Sequence, residues 1–132
     1  MKTLLCLTNT DAGVRLAQPT TGRGRFIRQT GCPGLYADIT LSLEPQPGND
    51  TELSWEVAEN KLPFRYFDAV ASAIKAFFLE PEEFGGQHLK GVCIRVVDGS
   101  WHPVDSGTVA FAVATKFALR EALTKVGLLA HQ

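Results

Sequence analysis

The stretch "LYADITLSLEP", residues 35–45, alternates apolar and polar side chains along most of its length. The apolar side chains occupy the odd positions Leu35, Ala37, Ile39, Leu41 and Leu43, and the polar ones the even positions Tyr36, Asp38, Thr40, Ser42 and Glu44. A period of two is typical of a β-strand with one buried face and one solvated face. The stretch therefore predicts a sheet that is covered on one side only.

Neighbouring segments extend this sheet. The turn signal "PQPGND" (45–50) is followed by "LSWEVAE" (53–59), which resumes the alternation, so we expect an antiparallel neighbour of the first strand. "GRFIRQ" (24–29) and the β-branched "GVCIRVV" (91–97) predict two more strands, and "TLLCL" (3–7) predicts an extra edge strand.

Two segments have helical periodicity instead. After Pro63, the segment 64–79 places aromatic and aliphatic residues at three- and four-residue steps, which predicts an amphipathic helix. Residues 106–126 predict a second helix that stops at Gly127. The order of strands, helix, strand and helix predicts an α+β two-layer sandwich with helices on one face, forming a single domain over residues 1–132.

The charge of the chain is small overall but unevenly distributed. The formal net charge of the 132 residues is −1, yet five basic residues and one acidic residue lie between Met1 and Tyr36. Such a region either attracts phosphate or forms a solvated edge. Three widely spaced cysteines and only a short apolar run after Met1 predict a cytoplasmic protein without a signal peptide or a membrane partner.

Motifs for catalysis are weak. His102, Asp105 and Ser106 are the residue types of a hydrolytic triad, but Asp105 and Ser106 lie where the second helix is expected to begin. A side-chain oxygen at that position is more typical of a helix N-cap, and the chain lacks a GxSxG motif. It also lacks GxxxxGK[ST], and its histidines lack ligand spacing, so we expect no enzyme activity, no GTP binding, no cofactor and no metal.

Two aromatic residues and one cysteine are candidate contact groups. Trp55 falls on the apolar side of its alternation and predicts a core residue, whereas Trp101, in a Gly-Ser-His context, predicts an exposed one, facing outward with His102. Cys32 lies in a Gly-Pro turn, where it is either a reactive thiol or incidental.

Three segments, in order, resemble the fourth domain of translation elongation factor G. They are "RGRFIRQTGCPGLYADITLSLEP" (23–45), "NKLPFRYFDAVASAI" (60–74) and "DGSWHPVDSGTVAFAVATKFALREAL" (98–123), and the resemblance covers about residues 13–130. It implies the fold of the second domain of small-subunit ribosomal protein five: a four-stranded sheet with two helices on one face and a left-handed crossover.

The resemblance also implies an RNA-binding tip. In that family, two loops at the tip of the domain reach the decoding centre of the ribosome, and by position these loops are Gln29–Leu35 and Trp101–Gly107 here. Glycine-rich loops let a backbone approach RNA closely. The expected loop contacts are Gln29, Gly31, Cys32, Pro33, Gly34, Trp101, His102, Asp105 and Ser106, and the expected basic edge is Arg23, Arg25 and Arg28.

The tip departs from the family pattern in both loops. Pro33 and Leu35 replace an arginine and a glutamine, which removes a phosphate-binding charge and an amide. In the second loop, Pro103 and Gly107 differ from the family pattern. The proline at position 103 resembles the tip sequence of the tetracycline-resistance ribosomal protection proteins.

Three functions stay open on the sequence. The first is a non-enzymatic domain that binds the ribosome or structured RNA through the two loops. The second is a protein-interaction or regulatory domain that has lost RNA binding and meets a protein partner instead. The third is an enzyme, which would need a pocket of convergent titratable groups.

Overall fold

The structure is a computed structural model that describes residues 2–5, 13–28, 35–48, 50–79, 88–103 and 106–128. Its elements, in chain order, are β1 (Lys2–Leu5), β2 (Gly13–Arg15), β3 (Thr20–Arg28), β4 (Leu35–Pro45), β5 (Thr51–Trp55), a 3₁₀ turn (Phe64–Tyr66), α1 (Phe67–Leu79), β6 (His88–Lys90), β7 (Val92–Ser100) and α2 (Thr108–Lys125).

The strands form a mixed main sheet in the order β1-β5-β7-β4-β3, and β2 and β6 form a separate parallel pair. The predicted α+β fold with two helices is confirmed. Strands β5, β7, β4 and β3 form four neighbouring strands of the sheet, and β1 is the extra edge strand expected near the N-terminus, antiparallel to β5. Helix α2 packs along β3 and β4, and α1 packs beside α2, so that the core lies between this helical layer and one face of the sheet.

The prediction that β4 and β5 are neighbours is wrong. Strand β7 lies between them, antiparallel to β4 and parallel to β5. The long connection through α1 and β6 returns the chain to the sheet directly beside β5, and β7 takes the interior position. A strand as apolar and β-branched as β7 gains most from an interior position, because neighbours then satisfy both of its edges.

A bulge in β7 changes which of its side chains face the core. Thr40 pairs with Asp98, whereas the next residue, Leu41, pairs with Val96, so Val97 is an extra residue on β7. Before the bulge, Val96 and the alternate residues preceding it are buried in the core. After the bulge, Asp98 and its alternate successor Ser100 lie on the opposite, open face.

Helix α2 lies unusually close to β3. A Cβ built on Gly24 would lie 1.7 Å from the carbonyl oxygen of Ala114, and a Cβ on Gly22 would lie 2.0 Å from that of Ala118. One step further along both elements, the Thr20 hydroxyl donates to the carbonyl of Ala122 at 2.8 Å. The alternate residues of β3 and the four-residue repeat of α2 thus bring two backbones into contact.

We expect Gly24→Ala to destabilise the fold by about 3 kcal/mol, because the methyl group meets backbone that cannot move aside as a flexible side chain can. Chemical denaturation of the two proteins measures the change. Gly107→Ala is the matched control: its Cβ would meet nothing within 4 Å and its φ of −161° is open to any residue, so it should cost less than about 1 kcal/mol. Equal losses for the two variants would contradict the close-packing account.

The open face carries an ion-pair cluster centred on Arg95. The Arg95 guanidinium donates to Glu44 at 2.6 Å and to Glu56 at 2.8 Å. The hydrogen bonds from Arg95 and from the Ser54 hydroxyl lower the pKa of Glu56 to about 2. The same contacts with Glu56 and Glu44 raise the pKa of Arg95.

The cluster should give stability a pH dependence. Because the pKa of Glu56 is lower in the folded chain, its contribution is complete above its usual value of 4.5 and is lost as the pH falls through about 2. Glu56→Gln should therefore lower the free energy of unfolding at pH 7 by up to about 1 kcal/mol, a small value because the pair is partly exposed. Urea denaturation at pH 7 and pH 3 should show this deficit shrinking at the lower pH. The exposed-turn variant Asp50→Asn is the control. A deficit in the free energy of unfolding that stays constant with pH, or an equal deficit in Asp50→Asn, would contradict the Glu56–Arg95 pair as its cause.

Candidate functional site

The two expected tip loops start and end at the same end of the sheet. The first loop joins Arg28, the last residue of β3, to Leu35, the first residue of β4, and these two residues pair with each other. The second loop leaves β7 after Ser100, which lies beside Asp38 of β4. Within the loops, Gln29, Gly31, Cys32, Pro33, Gly34 and Asp105 lie outside the described residues.

Ser106 ties the second loop to the base of the first. Its hydroxyl donates to the backbone carbonyl of Tyr36 at 2.8 Å and accepts the backbone N–H of His102 at 2.8 Å. The N–H of Ser106 donates to the carbonyl of His102 at 3.0 Å. The second loop is therefore closed on itself and fixed one residue after the first loop re-enters the sheet.

The expectation that Asp105 or Ser106 caps α2 is wrong for Ser106. The helix begins at Thr108 with Gly107 as its N-cap, and this glycine makes no side-chain cap. The Ser106 hydroxyl is used by backbone groups of the loop and of β4 instead. Its proton is directed at the Tyr36 carbonyl, which is the opposite of what a nucleophilic serine needs.

Trp101 is not the outward-facing side chain that the sequence suggests. It is half-buried and packs against the edge of the core, and the Arg65 guanidinium lies over its ring at 4.7 Å. Arg65 also covers Tyr66 at 5.0 Å. His102 is half-buried too, with its ring 6.4 Å from that of Tyr36. Trp55, expected in the core, is confirmed there at 9% exposure.

The basic edge is divided between the two faces of β3. Arg23 and Arg25 lie on the open face, opposite Thr40 and Asp38 of β4. Arg28 has the other parity and extends on the helical side, with its guanidinium 6.0 Å from the ring of Phe26. Three arginines that look like one cluster in the sequence therefore form two separate basic positions.

Asp38 holds Arg23 in a fixed orientation. The carboxylate, 8% exposed, accepts two hydrogen bonds from the Arg23 guanidinium, at 2.9 Å from Nε and 2.6 Å from Nη2. This bidentate contact with Asp38 raises the pKa of Arg23. The Nε of Arg25 lies 3.8 Å from the same carboxylate, beyond hydrogen-bond distance.

These residues surround a polar depression of about 320 Å³ on the open face, which we call the open-face cleft. The hydroxyls of Tyr36 and Ser100 lie 2.8 Å apart at its tip end. Across from the arginines, Asp98 accepts the N–H of Gly99, and Lys61 reaches it at 3.4 Å; these contacts lower the pKa of Asp98. The cleft is lined by Arg23, Arg25, Tyr36, Asp38, Thr40, Asp98, Gly99 and Ser100.

Known proteins resemble this domain in both sequence and fold. The family model for elongation factor G, domain IV, matches residues 14–127. The chain belongs to this family. It is 31% identical over 110 residues to elongation factor G of Petrotoga mobilis, a match that covers 81% of this chain and 16% of that protein. A crystal structure of a protein from Thermus thermophilus superposes with a TM-score of 0.76 at 25% identity, covering 92% of this chain and 18% of that one.

The elongation factor G resemblance found in the sequence is thus confirmed, while the chain spans only about a sixth of the curated relative's length. The family domain is non-catalytic and associated with translation. Neither helix in the described ranges is long and apolar enough to cross a membrane. Within those ranges no group of three His, Cys, Asp or Glu side chains is placed to hold a metal ion.

Several open-face residues of this domain IV chain were missed by sequence reasoning. Tyr36 and Asp38 could have been found, because the alternation of β4 already places them on the polar face beside β3. Asp98 and Ser100 could not, because only the bulge at Val97 brings them to that face. Arg65 lies in a 3₁₀ turn whose contact with Trp101 has no signal in the sequence.

We expect Ser106→Ala to loosen the second loop. It removes the donor to Tyr36 and the acceptor of the His102 N–H, so the free energy of unfolding should fall by about 1 to 2 kcal/mol. Hydrogen exchange should show a faster-exchanging His102 amide in the variant. Ser72→Ala, an exposed serine on α1, is the control and should change neither quantity. An unchanged His102 amide in Ser106→Ala would contradict the anchoring role.

Proposed function

We propose that the chain binds structured RNA of the translation machinery, such as ribosomal RNA, through the end of the domain that carries the two loops. The observation that supports this most is the bond from Ser106 to Tyr36, which joins the second loop to the base of the first. Beside this joint, β3 presents Arg23 and Arg25 on one side and Arg28 on the other. Membership of a translation-factor domain family makes RNA the expected partner and the cytoplasm the expected place of action.

The charges near the tip favour a polyanion even though the net charge of the chain is −1. Of the three arginines of β3, Arg23 and Arg25 share one buried carboxylate, Asp38, and Arg28 lies on the other face, so this corner carries excess positive charge. Binding to RNA backbone depends on such local charge, because each neutralised phosphate releases counterions. The proposed role is therefore contact and positioning, with no bond made or broken.

The test is binding of the purified chain to small ribosomal subunits and to a short RNA hairpin at two salt concentrations. The double variant Arg25→Glu/Arg28→Glu should lose at least about tenfold in affinity at low salt, because two attractive charges become repulsive. Lys75→Glu/Lys116→Glu makes the same charge change on the helices and is the control, with an expected loss below about threefold.

The proposal is wrong if the unaltered chain fails to bind either RNA at low salt. It is also wrong if the two double variants lose affinity equally, since binding would then follow total charge alone. A steep fall of affinity with rising salt for the unaltered chain is the accompanying sign of phosphate contacts.

A protein-binding role is the second candidate, and one observation favours it. Val109 and Phe117 on α2 are 68% and 44% exposed, beside a mostly apolar groove of about 260 Å³ between α1 and α2 that includes Ala76 and Val113. Retention of a protein partner that survives nuclease treatment and is lost in Val109→Ser/Phe117→Ser would support this alternative. Retention that nuclease abolishes would exclude it.

A further inference from the structure

The open-face cleft has a basic wall, an acidic wall and a polar floor. Across three adjacent strands, Arg25 of β3 lies opposite Asp38 of β4, which lies opposite Ser100 of β7. One row further from the tip lie Arg23 of β3, Thr40 of β4 and Asp98 of β7, with the acid and the hydroxyl in exchanged places. The basic wall therefore belongs entirely to β3 and the acidic wall, Asp98, belongs to β7, while the second carboxylate, Asp38, lies in the floor on β4, where Arg23 holds it.

Arg25 carries hydrogen-bond donors that the described residues leave unused. Both oxygens of Asp38 are already held by Arg23, at 2.9 and 2.6 Å, so Arg25 stays at 3.8 Å with a side chain 54% exposed. A guanidinium has five N–H groups in a planar fork that matches the oxygens of a phosphate. Arg25 is thus held near the cleft by charge while its donors face solvent.

The two hydroxyls at the tip end of the cleft supply a further donor. Tyr36 and Ser100 lie 2.8 Å apart and have two hydroxyl protons between them, of which their mutual hydrogen bond uses one. Ser100 also lies 3.4 Å from Asp38, a long contact that competes weakly for the second proton. A ligand oxygen beside the pair would receive that proton.

We infer that the open-face cleft binds one backbone phosphate of the RNA, held between the Arg25 guanidinium and the Tyr36–Ser100 hydroxyl pair. This inference rests on the proposed function and assigns the phosphate contact to one face of β3: Arg28, three residues away on the helical side, adds only to the long-range attraction at the tip. Asp98 on the far wall repels the phosphate, which keeps it on the arginine side. The RNA therefore continues from the tip onto the open sheet, past Tyr36.

Arg25→Gln and Arg28→Gln form a matched pair for the test, since each removes one charge from the same strand and from an exposed side chain. In hairpin-binding titrations, Arg25→Gln should lower the affinity about tenfold, because a charge-assisted hydrogen bond is lost. It should also reduce the slope of log affinity against log salt by about 0.7 to 0.9, the value for one phosphate. Arg28→Gln should change the affinity less than about twofold and leave the slope unchanged.

A second variant tests the acidic wall. Asp98→Asn removes the repulsive charge and should raise the affinity about twofold, whereas Asp50→Asn, in the turn at the other end of the sheet, should not. Equal effects of Arg25→Gln and Arg28→Gln, or a fall in affinity for Asp98→Asn, would overturn the cleft assignment. RNA binding by the unaltered chain would still support the proposed function.

Inorganic phosphate, titrated alone, separates the remaining outcomes. The amide signals of Arg25, Gly99 and Ser100 should shift in the unaltered chain and not in Arg25→Gln, and those around Arg28 should stay unchanged. Such shifts without any RNA binding would leave a phosphate site and defeat the proposed function. Absence of phosphate-induced shifts at all three amides, even where RNA binds, would overturn the cleft as a phosphate site.

Discussion

The contact between the backbones of β3 and α2 fixes the rest of the molecule. Gly22 and Gly24 have no side chains, so α2 lies directly on the strand along Ala114 and Ala118. This close approach sets the axis of α2 along β3 and leaves one place for its N-terminus, at the end of the sheet where β3 stops. The loop before α2 must therefore return to that end, and Ser106 secures it there on the carbonyl of Tyr36.

The same packing decides which face of the sheet is available to another molecule. The helices cover the face formed by Ile39, Leu41 and their neighbours, all of them fully buried. The opposite face keeps the polar positions of the alternation, and the bulge at Val97 adds Asp98 and Ser100 to it. The one extra residue reverses which side chains of β7 face the core. The end of an apolar strand therefore becomes one wall of a polar cleft.

The sequence predicts local structure here better than it predicts neighbours. The alternation in residues 35–45 and the helical steps after Pro63 follow from burial along one element, so the strands, the helices and the α+β class are recovered. The place of β7 between β4 and β5 depends on a crossover through α1, which no local pattern encodes. The resemblance to elongation factor G supplies the family, but the placement of each side chain comes from tertiary contacts.

The candidate site shows the same limit residue by residue. Trp101 looks exposed in a polar loop, yet Arg65 from a distant turn covers it. Ser106 has the position and chemistry of a helix cap, yet a nearby carbonyl of β4 takes its proton. In both cases a partner remote in sequence competes with the local interaction and wins, because it also removes an otherwise exposed or unsatisfied group.

Pairing of charges explains how a chain with net charge −1 can leave an arginine side chain without a hydrogen-bonded carboxylate among the described residues. On the open face Glu44 and Glu56 are held by Arg95, and Asp98 is held by Lys61. Asp38 is buried and accepts both hydrogen bonds from Arg23, which fixes that guanidinium. Because its oxygens are already used, the Asp38 carboxylate does not compete with a ligand for the donors of Arg25. A buried carboxylate beneath two arginines thus serves to orient one cation and to leave the other available, which a net charge cannot reveal.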